Sequence, residues 1–463
     1  MDTKKLRQKI LDLAIRGKLV PQDPNDEPAS VLLERIKAEK ERLIKEGKIK
    51  RSKKSASDTS HYENLPFEIP ESWVWTTIDE LFFVTKLAGF EYTEYFTKEN
   101  VNIEFDIPIV RAQNVRMGRF VENQSEAIKI ELSELLNRSS LTIPCLLMTF
   151  IGAGVGDTCI FPALKRNHLA PNVAKMEPYF NKLNLDYFLQ VCMSSCGQEE
   201  VNKIKKSTAQ PSLSMATIRS IRVPMPPIQE QIRIANATNY WLGVVDRIEY
   251  NKKDISNTIE QVKNKILSLA ITGKLVKQIP SDEPAIELLK RINPTIQIPC
   301  DNPHYQKLPN GWAMTSMQNI CQLRDGEKRN DNPRINLDVK YLRGKSEGEM
   351  VTSGKYVPSG STMILVDGEN SGEIFTSVIE GYQGSTFKLL DVSSEMNMGF
   401  VLLVIKSHQQ EFRENKVGSA IPHLNKKLFK EIAVMIPPIE EQQRIVESTQ
   451  QYLNLLEFIS DKL

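Results

Sequence analysis

The stretch LRQKILDLAIRGKLVPQDPNDEPASVLLERIK at residues 6–37 returns as VKNKILSLAITGKLVKQIPSDEPAIELLKRIN at residues 262–293, displaced by 256 positions without a gap. A second block, KSTAQPSLSMATIRSIRVPMPPIQEQIRI at residues 206–234, returns at residues 417–445 with a displacement of 211. Between these blocks lie two long stretches that resemble each other only faintly. This order of constant and variable blocks is typical of one scaffold used twice to present two different surfaces.

The composition indicates a globular protein long enough for two or more domains. The 463 residues are 40% hydrophobic and 25% charged, and no apolar run reaches membrane-spanning length. The N-terminal segment is charged rather than signal-like, so we expect a cytoplasmic protein without a membrane partner. The six cysteines are scattered without a CxxC motif, which predicts no metal site. A net charge of +2 requires a DNA-binding protein to concentrate its basic residues on one face.

The block that follows Pro226 and Pro227 is predicted to form one long helix. Apolar or small residues recur from Ile228 to Leu269 in nearly alternating steps of three and four, the spacing of a coiled-coil seam. Gly273 is a typical helix end, so the helix would run to about Thr272 and measure roughly 65 Å. A helix of that length needs a partner helix to cover its seam.

The repeats identify this partner as the two ends of the chain. The displacements place residues 439–463 on 228–252 and residues 1–17 on 257–273. The two terminal helices together thus reproduce nearly the whole central helix, which predicts an antiparallel two-helix coiled-coil rod with pseudo-twofold symmetry and chain ends roughly 7 to 8 Å apart. The predicted seam consists of Ile228, Ala235, Leu242, Val245, Ile259, Val262, Ile266, Val446, Leu453, Leu456, Leu6, Ile10 and Leu13.

The predicted fold class is α+β, with two mixed α/β domains separated by this rod. PESWVWTTIDEL at residues 70–81 and PNGWAMTSMQNI at 309–320 open the variable regions, whose short β-prone runs predict a twisted or barrel-like sheet with exposed loops. The expected segments are 1–60 (N-terminal conserved helix, packing helix and basic linker), 61–226 (first variable domain), 227–303 (central long helix and packing helix), 304–437 (second variable domain) and 438–463 (C-terminal conserved helix).

An amphipathic helix follows each GKLV motif, at Ser30–Ile44 and Ile286–Ile292. We interpret it as a helix that packs on the rod, and a docking surface for another subunit is the alternative. The first copy continues into the charged, serine-rich stretch 45–60, which favours a solvated tether. Its basic residues could instead touch phosphates; they are Lys48, Lys50, Arg51, Lys53 and Lys54.

The combination of these motifs resembles the specificity subunit of bacterial and archaeal type I restriction-modification systems. The resemblance rests on MPPIQEQIRI and IPPIEEQQRI, which open long helices, on ILDLAIRGKLV and ILSLAITGKLV, which close them, and on the tryptophan at the start of each variable region. It covers essentially the whole chain. Because ILDLAIRGKLV stands near the N-terminus, this copy looks circularly permuted relative to family members that begin with the first variable domain.

The resemblance implies a non-catalytic subunit whose variable regions are target-recognition domains for double-stranded DNA. Each domain would read one half of a split, asymmetric site, and the helices would set the unread spacer. Two modification subunits would dock along the scaffold and methylate adenine, and restriction subunits would complete the nuclease. This chain would bind no cofactor, because S-adenosylmethionine, ATP and Mg are expected on those partners.

Polar side chains in the variable regions are the candidate DNA contacts. Arginine and lysine can donate to guanine or phosphate, and glutamine and asparagine can pair with adenine. Arg111 in IPIVRAQNV and Arg343 in KYLRGKS are predicted to lie on strands at matching places, so we expect them to hold phosphate or structure rather than read a base. A solvated or sheet-stabilising role is the alternative for each candidate. The candidates are Lys86, Tyr92, Arg111, Gln113, Asn114, Arg116, Lys206, Thr208, Gln210, Ser212, Arg324, Lys328, Arg329, Arg343, Lys345, Ser419, His423 and Asn425.

Two other classes of protein are alternatives to a DNA-recognition subunit. TFIGAGVGD at residues 149–157 matches the FxGxG pattern of an S-adenosylmethionine loop, but the chain has no NPPY-like tetrapeptide and no GxxxxGK[ST] motif. We therefore predict a glycine-containing strand and turn there rather than a methyltransferase site. A tandem adaptor that binds protein or glycan would need the same rod, but its affinity would not fall steeply as salt rises.

Overall fold

The computed structural model describes residues 2–51, 65–152, 154–206, 211–296, 308–418 and 422–463. The chain divides into two compact units, Met1–Asn251 and Lys252–Leu463, so each unit contains one variable region. Within the described residues, no helix is long and apolar enough to cross a membrane. The same residues contain no group of three or more His, Cys, Asp and Glu side chains placed to hold a metal ion.

The first unit combines short helices and short strands with the beginning of one long helix. Its helices are α1 (Thr3–Ile15), α2 (Ala29–Lys45), α3 (Ile78–Leu81), α4 (Gly89–Tyr95), α5 (Ile130–Leu135), α6 (Leu185–Met193), α7 (Ser195–Ile204), α8 (Met215–Arg219) and α9 (Ile228–Ile271), which continues into the second unit, with 3-10 turns at Ala112–Asn114 and Asn137–Ser139. Its strands are β1 (Val74–Thr77), β2 (Phe82–Thr85), β3 (Ile107–Val110), β4 (Val115–Arg116), β5 (Arg119–Phe120), β6 (Ala127–Ile128), β7 (Ser140–Leu141), β8 (Cys145–Thr149), β9 (Thr158–Phe161), β10 (Asn167–Leu169), β11 (Val173–Pro178) and β12 (Arg222–Met225).

The second unit has the same kinds of element in a similar order. Its helices are α10 (Ala285–Ile292), α11 (Val339–Leu342), α12 (Met398–Ser407), α13 (Gln409–Glu414), α14 (Lys426–Glu431) and α15 (Ile439–Lys462), with a 3-10 turn at Met317–Asn319. Its strands are β13 (Ala313–Ser316), β14 (Cys321–Arg324), β15 (Glu327–Arg329), β16 (Arg334–Leu337), β17 (Met350–Val351), β18 (Gly354–Val357), β19 (Thr362–Leu365), β20 (Ile374–Thr376), β21 (Gly381–Gln383), β22 (Phe387–Val392) and β23 (Ala433–Ile436).

The two variable regions share a sheet topology that their sequences hardly reveal. An antiparallel sheet has the order β2-β11-β8-β9 in the first unit and β14-β22-β19-β20 in the second. A mixed sheet has the order β6-β3-β10-β7 in the first unit and β15-β18-β21-β16-β17 in the second. Each mixed sheet contains one parallel pair, β3 with β10 and β16 with β21. The predicted mixed α/β architecture of each variable region is therefore confirmed.

Each variable region starts and ends on a pair of antiparallel strands. In the first unit β1 pairs with β12, so that Val74 lies opposite Met225. In the second unit β13 pairs with β23, so that Ala313 lies opposite Ile436. Since β12 and β23 lead directly into α9 and α15, the chain enters and leaves each variable region beside the N-terminal end of a long helix.

The first turn of each long helix holds a buried glutamate that binds the tryptophan at the start of the variable region. The Trp73 indole Nε1 donates to Glu230 at 2.9 Å, and the Trp312 Nε1 donates to Glu441 at 3.1 Å. Both carboxylates are only 1% exposed. A buried charge is costly unless it is hydrogen-bonded, so this contact fixes the tryptophan relative to the helix.

A glutamine beside each glutamate extends the same network. The side-chain amides of Gln231 and Gln442 donate to the carbonyls of Pro226 and Pro437, each at 3.0 Å. Their carbonyl oxygens accept from the backbone N–H groups at the N-caps of α6 and α12. The glutamine therefore joins the end of the closing strand to a helix of the variable region.

An arginine one turn further along each long helix ties the repeated loop to it. Arg233 donates to Asp26 at 2.6 Å in the first unit, and Arg444 donates to Asp282 at 2.5 Å in the second. Both aspartates come from the DEPA motif of the residue 6–37 repeat and its copy. The two sequence repeats thus correspond to one network of contacts that is built twice.

The long helix α9 has nearly the predicted bounds, but the burial of its predicted seam is uneven. Ile10, Ala235, Val245, Ile259 and Ile266 are buried. The remaining seam candidates are half-buried, apart from one that is exposed. The half-buried residues are Leu6, Leu13, Ile228, Leu242, Val446, Leu453 and Leu456, and the exposed one is Val262, at 39%.

Helix α1 is joined to α9 within the first unit by a charged contact. Arg7 donates to Asp246 at 2.5 Å and to Glu249 at 2.8 Å. The full two-helix rod, its symmetry and the closeness of the chain ends involve both units and stay predictions. Met1 lies outside the described residues.

The amphipathic helices α2 and α10 bury their apolar faces within their own units. Leu32 and Ile36 belong to the core of the first unit, and Leu288 and Leu289 to that of the second. Whether these helices pack on the rod stays a prediction. In the linker, Lys48 pairs with Glu46 and Arg51 with Glu41, whereas Lys53 and Lys54 lie outside the described residues.

We predict that alanine at Gly17 or Gly273 destabilises its unit more than alanine at a matched open glycine. Gly17 has φ +66°, and a Cβ there would lie 2.5 Å from Pro70 Cγ. Gly47 has φ +72° with open space around it and controls for the backbone strain alone, of about 1 kcal/mol. The clash at Gly17 should add about 1–3 kcal/mol.

In the second unit, Gly273 and the open Gly344 form the corresponding pair. Scanning calorimetry of the four alanine variants measures both differences. Equal losses within each pair would contradict the close packing of Gly17 and Gly273.

We predict that Glu441→Gln changes how stability depends on pH. Burial raises the pKa of Glu441 above its ordinary 4.5, although the Trp312 N–H opposes the shift. A raised folded pKa contributes stability that is fully present below about pH 4.5 and is lost as the pH rises through the raised value. Glutamine does not titrate, so the variant lacks this loss. The melting temperature of the variant minus that of the unaltered protein should therefore rise between pH 4.5 and pH 7.5.

The matched control is Glu440→Gln, because Glu440 is the exposed neighbour in the same helical turn. An identical pH response of the two variants would contradict the assignment.

Candidate nucleic-acid interface

Two loops are hydrogen-bonded to each other at the same place in each variable region. In the first unit, Leu213 N–H donates to the Phe150 carbonyl at 2.8 Å and Gly152 N–H to the Pro211 carbonyl at 3.2 Å. In the second unit, Leu424 N–H donates to the Val366 carbonyl at 2.7 Å and Gly368 N–H to the Pro422 carbonyl at 2.8 Å. The hairpin turn, which joins β8 to β9 in the first unit and β19 to β20 in the second, therefore contacts a second loop. This second loop, called the polar loop below, precedes α8 in the first unit and α14 in the second.

The polar loops themselves are closed by single strand-like bridges. Lys206 pairs with Ser212, and Val417 pairs with His423 at the equivalent positions of the repeat. Ser212 also bridges to Ile151, and His423 to Asp367, on the hairpin turn. The candidates Thr208, Gln210 and Ser419 belong to these loops but lie outside the described residues.

The glycine-containing segment 149–157 is the turn between β8 and β9, which confirms the predicted strand and turn. Thr149 N–H donates to the Asp157 carbonyl at 3.0 Å. Leu365 N–H donates to the Glu373 carbonyl at 2.8 Å in the second unit, so residues 365–373 form the counterpart turn. Gly152 of the FxGxG pattern has φ +106°, as has Gly368 at the equivalent position, so this glycine serves a turn that both units build.

Several first-unit candidates gather around this turn. The Lys86 ammonium lies 4.8 Å from the centre of the Phe150 ring. Burial raises the pKa of Asp157, and the nearby charges of Arg116 and Lys205 oppose that shift. Arg116 is exposed and donates to the carbonyls of Ala112 and Val115. These side chains place positive charge beside the polar loop, as a surface that binds phosphate requires.

Arg111 lies one residue after strand β3, so the prediction that it lies on a strand is wrong, and it is held by other side chains of its own unit. Its guanidinium donates to Glu126, with the Nε bond at 2.7 Å. Tyr92 also interacts with Arg111, and its ring packs beside Phe96 at 5.3 Å. Arg111 is therefore engaged in structure, as expected, although it remains partly exposed.

Asn114 is not a surface residue, which corrects its selection as a DNA contact. It is fully buried, and its Oδ1 accepts from the Arg111 N–H at 2.9 Å. Its Nδ2 donates to the Val121 carbonyl and to the Asn123 Oδ1, each at 2.9 Å. The side chain closes the loop after β3, whereas the neighbouring Gln113 is exposed.

Several second-unit candidates lie beside a carboxylate. Arg324 lies 2.7 Å from Asp391, and Arg329 lies 2.6 Å from Glu327. His423 Nδ1 lies 2.7 Å from Asp367 on the hairpin turn. Lys328 and Lys345 are exposed.

The prediction that Arg343 lies on a strand is wrong, whereas a DNA contact by Asn425 stays a prediction. Arg343 does not lie on a strand but caps the end of α11, where it pairs with Glu373 of the hairpin turn. The residue that follows β16, as Arg111 follows β3, is Asp338. Asn425 is the N-cap of α14, and its Oδ1 accepts from Leu428 N–H at 3.1 Å, so its carbonyl oxygen is committed to a helix end.

Sequence reasoning missed the carboxylates that pair with the candidate side chains. Glu126, Glu373 and Asp367 each pair with a candidate that is 15 or more residues away in the chain. No local pattern marks such pairs. A phosphate or base edge that bound to these side chains would have to displace a carboxylate of the same unit. This displacement would reduce the binding free energy from non-specific DNA contacts.

A family model for the type I restriction modification DNA specificity domain matches residues 70–261 and 309–463. The chain is 28% identical over 435 residues to the type I restriction enzyme EcoAI specificity subunit of Escherichia coli, which covers 79% of this chain and 70% of that protein. It is 31% identical over 344 residues to the EcoEI specificity subunit of Escherichia coli, which covers 62% of this chain and about half, 54%, of that relative.

Solved structures with a similar fold come from the same kind of system. The HsdS subunit from Thermoanaerobacter tengcongensis has a TM-score of 0.52 at 14% identity and covers 86% of this chain and 93% of its own. A chain from a study of the assembly and conformational transition of the type I R-M system has a TM-score of 0.56 at 14% identity, covering 86% of this chain and 94% of its own. At this identity the likeness concerns the fold alone.

We predict that Asn114→Ala and Gln113→Ala have opposite profiles. Loss of Asn114 removes the side-chain acceptor of the Arg111 N–H and the donor to the Asn123 Oδ1, which should cost about 1–3 kcal/mol of unfolding free energy. Gln113 is exposed, so its truncation should change stability by no more than about 0.5 kcal/mol. Urea unfolding of both variants checks this, and equal stabilities would contradict the structural role of Asn114.

Proposed function

The chain belongs to the type I restriction-modification DNA specificity family, since the family model matches well over half of it, and we propose that each variable region reads one half of a split DNA site. The earlier prediction of a specificity subunit is confirmed by this match and agrees with the names of the relatives. The half-sites are proposed to differ, because the loop side chains of the two units differ. The target is then bipartite and asymmetric.

One observation carries this proposal: the same set of contacts, called the constant frame below, occurs in both units, whereas the polar surfaces that it supports differ. The tryptophan–glutamate, glutamine–proline and arginine–aspartate contacts recur at equivalent positions. The hairpin turn and polar loop also recur, but the side chains at or beside them differ: Lys86 and Arg116 in the first unit, Arg343 and His423 in the second. A constant frame with variable donors suits two readers of different sequence.

The helical scaffold is proposed to convert distance into specificity. An antiparallel pairing of α9 with α1 and α15 would fix the separation of the two readers, so that a site with the wrong spacing would lose one domain's contacts or require bent DNA. Linking two weak readers would also raise their combined affinity.

We propose that two modification subunits dock along the scaffold and methylate adenine in both half-sites. S-adenosylmethionine would bind to these partners, and ATP and Mg would act with restriction subunits in the complete nuclease. The chain itself would contribute DNA recognition in the cytoplasm of a bacterium or archaeon. Its own residues would act by binding and orienting DNA, not by changing bonds.

We predict that co-expression of this chain with its modification subunit produces a new split adenine-methylated motif. Single-molecule methylation mapping should find that motif only when both proteins are present. Gln113→Ala should relax only one half of the motif, with a loss of about 1–3 kcal/mol of discrimination if Gln113 contacts a base. Ile259→Asp, which disrupts a buried seam position, should instead impair both halves.

A soluble complex with an active modification subunit and no new motif would reject DNA reading in favour of the adaptor function. The salt dependence of DNA binding gives an independent check. A DNA-recognition subunit should lose affinity steeply as salt rises, whereas an adaptor for protein or glycan should not.

A further inference from the structure

Two arginines of the second unit stack on one tyrosine ring. The guanidinium carbon of Arg329 lies 4.0 Å from the centre of the Tyr356 ring, and that of Arg334 lies 4.9 Å from it. Arg334 also lies 5.5 Å from the centre of the Tyr382 ring. Tyr356 and Tyr382 face each other in the register of β18 and β21, so the stack is built on the mixed sheet.

Arg334 is the fixed member of this stack. Its side chain is only 9% exposed and lies 2.5 Å from Asp331 and 3.1 Å from Glu380. It also donates to the Tyr382 hydroxyl at 3.1 Å. Glu380 accepts in turn from the Tyr356 hydroxyl at 2.8 Å, so the Tyr356 ring is held both by its hydroxyl and by the arginine beside it.

Arg329 is the accessible member. Its side chain is 38% exposed, four times the exposure of Arg334. Among the described residues, Glu327 accepts hydrogen bonds from Arg329 Nε and Nη2 and none from Nη1. A guanidinium that rests on a fixed ring has fewer conformations to lose when it binds an acceptor, and its planar donor edge suits bidentate contacts.

The stack lies where the two units differ. Arg329 belongs to β15, the edge strand of the second unit's five-stranded sheet. The matching sheet of the first unit has four strands within the described residues and no counterpart of β15. The exposed Lys328 precedes Arg329 on the same strand, so this edge presents two adjacent cations that the constant frame does not supply.

We propose that Tyr356 and Arg334 are positioning residues that hold Arg329 in place to donate to an acceptor oxygen of DNA in the second half-site. The inference rests on the proposed function. The acceptor is a guanine edge or a phosphate, which share the same chemistry toward a guanidinium. Glu327 occupies the donor edge until DNA replaces it.

The test uses the full chain in complex with its modification subunits, with methylation mapping and DNA affinity at several salt concentrations as readouts. Arg329→Ala should reduce discrimination at one base pair of the second half-site by roughly 5- to 150-fold if the acceptor is guanine. Tyr356→Leu should produce a smaller loss at that same base pair. Tyr356→Phe keeps the ring and should largely restore it, and the first half-site should stay unchanged throughout.

Met363→Ala serves as the control for general weakening of the second domain, because Met363 is fully buried in its core. A structural effect of this kind should reduce all positions of the second half-site together. Preserved reading at the other positions in Tyr356→Leu therefore shows that the domain is folded.

A uniform loss of affinity in Arg329→Ala, with a reduced salt slope and an unchanged motif, identifies the acceptor as phosphate, and Tyr356→Leu must then follow that pattern. If Tyr356→Leu leaves the Arg329-dependent readout intact, or if Arg329→Ala changes neither motif nor affinity, the inference is overturned while the proposed function stands. A wild-type complex that makes no split motif refutes the proposed function and this inference with it.

Discussion

The buried hydrogen bond between a tryptophan and a glutamate is the contact on which both units depend. Each carboxylate lies in the first turn of a long helix and is almost completely removed from water, so loss of its indole donor would be costly. The indole that supplies the donor also opens the variable region. One contact therefore sets where the helix begins and where the variable region is attached, and the rest of each region is free to differ.

The constant part of the fold was predictable because its signals are local or repeated. Helix periodicity and a terminal glycine gave α9 bounds that differ from the observed Ile228–Ile271 by about one residue at one end. Gap-free repeats revealed the duplication. The shared topology of the variable regions was not readable, because the equivalent turns at residues 149–157 and 365–373 have only two glycines in common.

The candidate interface was predicted less well, because each side chain's role depends on partners that are distant in sequence. Asn114 looks like a base reader in the sequence, yet its burial makes it a loop closure, while Gln113 beside it is exposed. Arg343 was matched to Arg111 by sequence appearance, but it caps a helix. The stack under Arg329 was invisible for the same reason, since Tyr356 and Glu380 reach it only through the sheet.

The strand pairs β1–β12 and β13–β23 make each variable region an exchangeable cassette. Its first and last strands lie side by side, so the frame constrains the distance between the ends of the cassette and not its length or interior. A recombination event that replaced one whole cassette would preserve the ladder, the indole and the helix start. A single genetic step of this kind would replace one variable region and leave a chain that still folds.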